Sequence, residues 1–157
     1  MDDYLYQLSQ RLGEQLLQHN WRIATAESCT GGGVAAAITA IAGSSNWFEY
    51  GVVSYANIAK QTLLGVNPDT LDREGAVSEA VVSEMARGAI ALSGANIAVA
   101  ISGIAGPGGA TPYDDDLCGY SFHSCPSHLF QMTPVWRLSG RKCLIWAKLM
   151  FANAHKW

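Results

Sequence analysis

The sequence predicts an α/β fold, a three-layer α/β/α sandwich on a mostly parallel sheet, and three observations predict it. Short β-like runs alternate with helical stretches, which implies strands running one way with helices returning over both faces. Residues 96–101 form an unbroken run after Asn96 of Ile, Ala and Val, as a strand covered on both sides requires. Glycine-rich turns at 31–33 and 103–109 follow strands, and in such sheets ligands gather beyond the carboxyl ends of strands. With 157 residues, 49% of them hydrophobic, the chain reads as a single domain over 1–157 with a substantial core.

Taken in order, residues 3–19 place Leu5, Leu8, Leu12 and Leu16 three or four apart among polar residues, an amphipathic helix. Residues 22–26 read as a strand, leading through Ser28, Cys29 and Thr30 into the glycine turn and a helix to about residue 41, stopped by Gly43. Residues 48–55 read as a second strand, and Asn57 is placed to cap a short helix that carries Lys60 and ends at Gly65. Residues 68–73 suit one helical turn, and Ser78 caps a long helix finished by Gly94. The apolar strand then empties into Ser102, Gly103 and the second glycine turn.

Later segments are less regular. Residues 119–123 and 134–138 read as short strands, and 141–155 as a helix in which Cys143, Leu144, Ile145, Trp146, Leu149, Met150 and Phe151 leave little polar face. Such a helix has to be deeply buried or packed on a second subunit, so a homodimer or larger homo-oligomer is expected. A compositional break accompanies the change. All thirteen acidic residues lie at or before Asp116, whereas 117–157 carries five Lys or Arg and three of the four Cys. Abundant Trp, Phe, Met and Leu in that segment argue against a disordered tail.

A formal net charge of −3 gives no general invitation to nucleic acid. No window approaches eighteen uninterrupted apolar residues, and the Met-Asp-Asp-Tyr start lacks the basic and apolar regions of a signal peptide. The expectation is a cytoplasmic protein with no membrane or nucleic-acid partner, whose cysteines stay reduced. Cys118, His123, Cys125 and His128 invite a zinc reading, but their spacing is tighter than a finger's and lacks a second fixed pair, so no metal is expected.

The stretch 24–33, Ala-Thr-Ala-Glu-Ser-Cys-Thr-Gly-Gly-Gly, concentrates hydroxyls and a thiol at a helix start. Open amides at a helix N-terminus favour a phosphate or an oxyanion, although a Ser or Thr there is more often a plain cap. No Gly-Lys-Ser/Thr follows the glycines, the Gly-x-Gly-x-x-Gly spacing is absent there, and Ser28 is not in Gly-x-Ser-x-Gly. A P-loop, a dinucleotide fingerprint and an α/β-hydrolase elbow are therefore disfavoured. Glu27 is open to two readings, a site carboxylate or a partner for a nearby base. Cys29 is either a reactive thiol or a small buried one.

Thr-Ala-Glu-Ser-Cys-Thr-Gly-Gly at 25–32, Gly-Ser-Ser at 43–45, Val-Ser-Tyr-Ala-Asn at 53–57 with Lys60, Leu-Gly-Val at 64–66, Gly-Ala-Val-Ser at 75–78 and Ser-Gly-Ile-Ala-Gly-Pro-Gly-Gly at 102–109 occur in this order. The chain thereby resembles the CinA C-terminal family, PncC-like nicotinamide-nucleotide amidohydrolases, over about residues 8–109, with 117–157 atypical. The resemblance implies a three-layer sandwich with a mixed, mostly parallel sheet. It also implies hydrolysis of nicotinamide mononucleotide to nicotinate mononucleotide and ammonia in pyridine nucleotide recycling, without metal or organic cofactor. It further implies Ser28 and Lys60 as a catalytic pair with Tyr55, and a nucleotide pocket that includes Thr30, Gly31, Gly32, Ser102 and Gly103.

Amide hydrolysis needs an activated nucleophile, an acid for the departing amine and donors for the oxyanion, and a lysine made neutral by burial can serve as base and then acid. Ser28 either attacks or orients a water. In the family a Gly-Asp-Arg segment opening a final helix supplies an Arg to the site, and here only Ser139-Gly-Arg141 is similar, which makes Arg141 the candidate cation. This departure and the loss of acids suggest a C-terminal third exchanged for another sequence or read in another frame. The alternative to an enzyme is a catalytically inactive CinA-like nucleotide-binding or interaction protein that kept the turns.

Overall fold

A computed structural model describes Met1, residues 3–104 and the backbone of residues 144–151. In chain order it contains α1 (Asp3–Gln18), β1 (Ile23–Glu27), α2 (Gly33–Thr39), a 3-10 turn (Ser44–Asn46), β2 (Phe48–Val53), α3 (Asn57–Leu64), α4 (Pro68–Glu74), α5 (Glu79–Ser93), β3 (Ile97–Ile104) and β4 (Leu144–Phe151). Among the described residues the strands form one sheet in the order β2-β1-β3-β4. β1 lies between β2 and β3 and is parallel to both, whereas β4 runs antiparallel to β3.

Alternation along the strands builds a layer on each face. Ala24, Ala26, Ala98 and Ala100 join Val81, Val82, Met85, Ala86 and Ala89 of α5, with Leu64 and Leu71 of α3 and α4 beside them. Ile23 and Ile97 point the other way, onto Leu16 of α1, Ile38 of α2 and Trp47. Alanines on one face of the sheet let α5 approach closely, and each large apolar side chain buried there contributes about 1.5–3 kcal/mol. The expected α/β sandwich with a mixed, mostly parallel sheet is the fold observed. No helix among the described residues is long and apolar enough to cross a membrane.

Four local expectations are corrected. The final helix expected over 141–155 is, over Leu144–Phe151, the strand β4 paired with the whole of β3. A run without a polar face is compatible with a strand as well as with a helix, so this stretch by itself no longer argues for packing on a second subunit. The helix after the glycine turn stops at Thr39, two residues before the expected end. Asn57 does not cap α3: Ala56 occupies the N-cap position and no side chain bonds there. Ser102 and Gly103 lie within β3 rather than in the loop beyond it. Asn67 and Ser78, by contrast, cap α4 and α5, accepting from the amides of Asp69 and Val81. The short strands expected at 119–123 and 134–138, the zinc-like Cys118, His123, Cys125 and His128, and Arg141 all lie outside the described residues.

Candidate active site

The site lies at the carboxyl ends of the three parallel strands. Glu27 of β1 pairs with Val53 of β2 and Ile101 of β3, so the next residues, Ser54, Ser28 and Ser102, form a row across the sheet. The Ser28 amide donates to the Ile101 carbonyl at 2.9 Å and the Ser54 amide to the Glu27 carbonyl at 2.8 Å, carrying the strand spacing into the row. All three serines are buried.

Lys60 reaches this row from α3. A lysine on a short helix is ordinarily solvated, yet Lys60 is only 1% exposed. Its Nζ donates to the main-chain carbonyls of Ser54 at 2.9 Å and Tyr55 at 3.0 Å and lies 3.1 Å from Ser28 Oγ. Desolvation holds the amine below its usual 10.5, while a weaker Coulombic interaction with Cys29 opposes the shift.

The geometry suits both protonation states. A neutral amine has two N–H groups and one lone pair. With both N–H groups on carbonyls, which only accept, the lone pair is left for the Ser28 hydroxyl. After protonation, the third N–H points at the same oxygen. The arrangement can therefore take a proton from Ser28 and return one at the same place.

The glycine turn is built differently from the expectation. Gly31 and Gly32 have φ of 60° and 98°, left-handed values that a side chain would strain, and they turn the chain sharply into α2. The anion at this helix start is the chain's own Glu27. Its fully buried carboxylate accepts from the amides of Gly32 at 3.2 Å, Val34 at 3.0 Å and Ala35 at 2.8 Å. The Gly31 and Gly33 amides donate to the carbonyls of Ser28 and Thr30. The turn's amides expected to receive a phosphate or oxyanion are thus committed within the chain, and Glu27 is neither a base's partner nor an open carboxylate.

The remaining residues divide. The Tyr55 ring is 71% exposed, and it is the main-chain carbonyl of Tyr55 that meets Lys60. Ser102 Oγ donates to the Ala76 carbonyl at 2.7 Å, tying β3 to the segment before α5. Cys29 is a half-buried thiol. The strand read from the sequence runs through to residue 55 and so passes over Ser54, which lies just past the end of β2 at Val53. Ser54 Oγ and Thr30 Oγ1 are buried hydroxyls without a hydrogen-bond partner. Among the described residues no group of three or more His, Cys, Asp or Glu is disposed to hold a metal ion.

Known proteins similar to this chain agree in kind. The nicotinamide-nucleotide amidohydrolase PncC of Enterobacter agglomerans is 54% identical over 107 residues, 68% of this chain and 65% of that protein. Its namesake from Escherichia coli strain K12 is 54% identical over 110 residues, 70% of this chain and 67% of that protein. The chain thus spans about two thirds of the length of these curated relatives. Among solved structures, competence/damage inducible protein CihA from Agrobacterium tumefaciens superposes with a TM-score of 0.70 at 44% identity, covering 72% of this chain and 68% of that one. The competence damage-inducible protein A (ComA) from Klebsiella pneumoniae gives 0.66 at 45%, covering 68% and 66%. The family model for the CinA C-terminal domain matches residues 5–119, beyond the 8–109 over which the motifs are read, and the chain belongs to that family.

Proposed function

We propose that the protein is an amidohydrolase that converts nicotinamide mononucleotide and water into nicotinate mononucleotide and ammonia, a reading supported by relatives named nicotinamide-nucleotide amidohydrolase. One observation carries the reading: a buried lysine amine with its two main-chain carbonyl acceptors and, at 3.1 Å, the hydroxyl of Ser28. In this reading Ser28 Oγ attacks the carboxamide carbon as its proton passes to neutral Lys60. The tetrahedral intermediate collapses as Lys60 protonates the departing nitrogen, releasing ammonia and leaving an acyl ester on Ser28. Water then attacks the ester, giving its proton to Lys60, which returns it to Ser28 Oγ as the carboxylate leaves.

Thr30 and Ser54 hydroxyls, buried with unspent protons, are the donors we assign to the oxyanion in place of the committed turn amides. Gly31, Gly32, Ser102 and Gly103 are assigned to the pocket wall, Arg141 to the substrate's phosphate, and the Tyr55 main chain to holding Lys60. A phosphorylated, charged nucleotide does not cross a bilayer unaided, and we assign the reaction to the cytoplasm. Self-association is assigned to the outer edge of β2, the strand in which Tyr50 and Val53 are exposed. A monomeric mass in sedimentation would remove that last assignment.

Ammonia release from nicotinamide mononucleotide tests the activity. Turnover by the parent chain that is lost in Ser28→Ala and Lys60→Ala supports the enzyme. Binding of the mononucleotide without turnover favours the inactive binding protein instead.

A further inference from the structure

Glu27 is the buried charged group near the reactive pair that the chemistry above leaves unused, and its contacts reach both halves of that pair. Its Oε2 accepts from the Gly32 and Val34 amides and its Oε1 from Ala35, which fixes the turn that begins at Ser28. The turn is closed from the other side by the Gly31 amide, which donates to the Ser28 carbonyl. The Glu27 carbonyl accepts from the Ser54 amide at 2.8 Å, and the Ser54 carbonyl in turn accepts from Lys60 Nζ at 2.9 Å. One residue therefore stands in a continuous hydrogen-bonded path from the first turn of α2 to the lysine amine.

We propose that Glu27 is the positioning residue of the Ser28–Lys60 pair, its carboxylate holding the turn that presents Ser28 and its carbonyl holding the strand end that presents an acceptor to Lys60. The proposal rests on the reading of Ser28 and Lys60 as the reactive groups. Both carboxylate oxygens are engaged by main-chain amides and the side chain has no exposed surface, so Glu27 does not touch the substrate. Negative charge at a helix start also complements the partial positive charge there. In Glu27→Gln one acceptor oxygen becomes an NH2 donor facing main-chain amides, so at least one of the three bonds is lost and the turn relaxes, and a displacement of about 1 Å at a reacting group costs about 100-fold in rate.

The test compares Glu27→Gln with the parent in two assays. In ammonia release from nicotinamide mononucleotide, kcat is expected to fall about 100-fold with KM within threefold of the parent. In the second, a serine-directed aryl sulfonyl fluoride forms an S–O bond with Ser28 Oγ, releasing fluoride and passing the hydroxyl proton to Lys60. The labelling rate, read by intact mass, is expected to fall by a similar factor. Asn67→Ala, which removes the α4 cap, provides a destabilised control whose labelling rate stays at the parental value. Should Glu27→Gln fail to fold, Glu27→Asp, which keeps the charge but falls short of the amides, is judged on the same criteria. A parent chain that releases no ammonia yet labels at Ser28, with Glu27→Gln labelling slowly, overturns the amidohydrolase reading and supports the positioning role. Parental labelling in a folded Glu27 variant, a change confined to KM, or a parent that does not label at Ser28 overturns the positioning role.

Discussion

The chemistry of the site comes down to the protonation state of one amine. Ser28→Ala and Lys60→Met are each expected to lower kcat for ammonia release by about 1,000-fold or more, because each removes a member of a pair that acts as a unit. Residual turnover within tenfold of the parent would dismiss the pair. Because burial depresses the folded-state value of Lys60 below 10.5, kcat/KM is expected to rise with pH through an ionisation below that value. The same shift affects stability. Between the depressed folded value and 10.5 the unfolded chain binds more protons than the native one, so unfolding free energy rises with pH across that window. Urea denaturation across the window should show this rise in the parent and a flatter profile in Lys60→Met. Sequence alone identified Lys60 only through family likeness, because burial depends on neighbours far along the chain. Ser54 was invisible for the same reason, whereas Ser28 stood out beside its glycines.

Among the elements, α3 delivers the lysine and α5 decides where α3 can sit. A Cβ built on Gly88 of α5 would lie 1.9 Å from the main-chain oxygen of Leu64, at the end of α3. Backbone cannot swing aside as a side chain can, so Gly88→Ala is expected to cost about 3 kcal/mol in urea denaturation and to reduce turnover by shifting Lys60. Stability and activity equal to the parent's would mean that the two helices move apart freely. Element types over residues 3–104 were readable because leucine spacing, caps and the apolar β3 run are local signals. The stretch 141–155 misled because a run without a polar face does not by itself distinguish a buried helix from a strand. The anion at the start of α2 was misassigned too, since local sequence does not reveal that Glu27 folds back over its own turn.

At the scale of the whole molecule, the sheet order puts β1 at the centre with parallel neighbours on both sides and helices over both faces. Hydrogen exchange is expected to be slowest at the amides of Ala24 and Ala26, and faster in β2, whose outer edge is unpaired among the described residues. Equal protection in the two strands would contradict that hierarchy. Fold class was legible early because it depends on a repeating pattern, whereas the site depends on where three strand ends meet. The carbonyls around Lys60 have a genetic consequence. They belong to the polymer rather than to any side chain, so drift at codons 54 and 55 cannot delete them, while loss of a single residue between 54 and 60 would turn them away from the amine. Inherited variation would then tune the base through spacing more than through lettering.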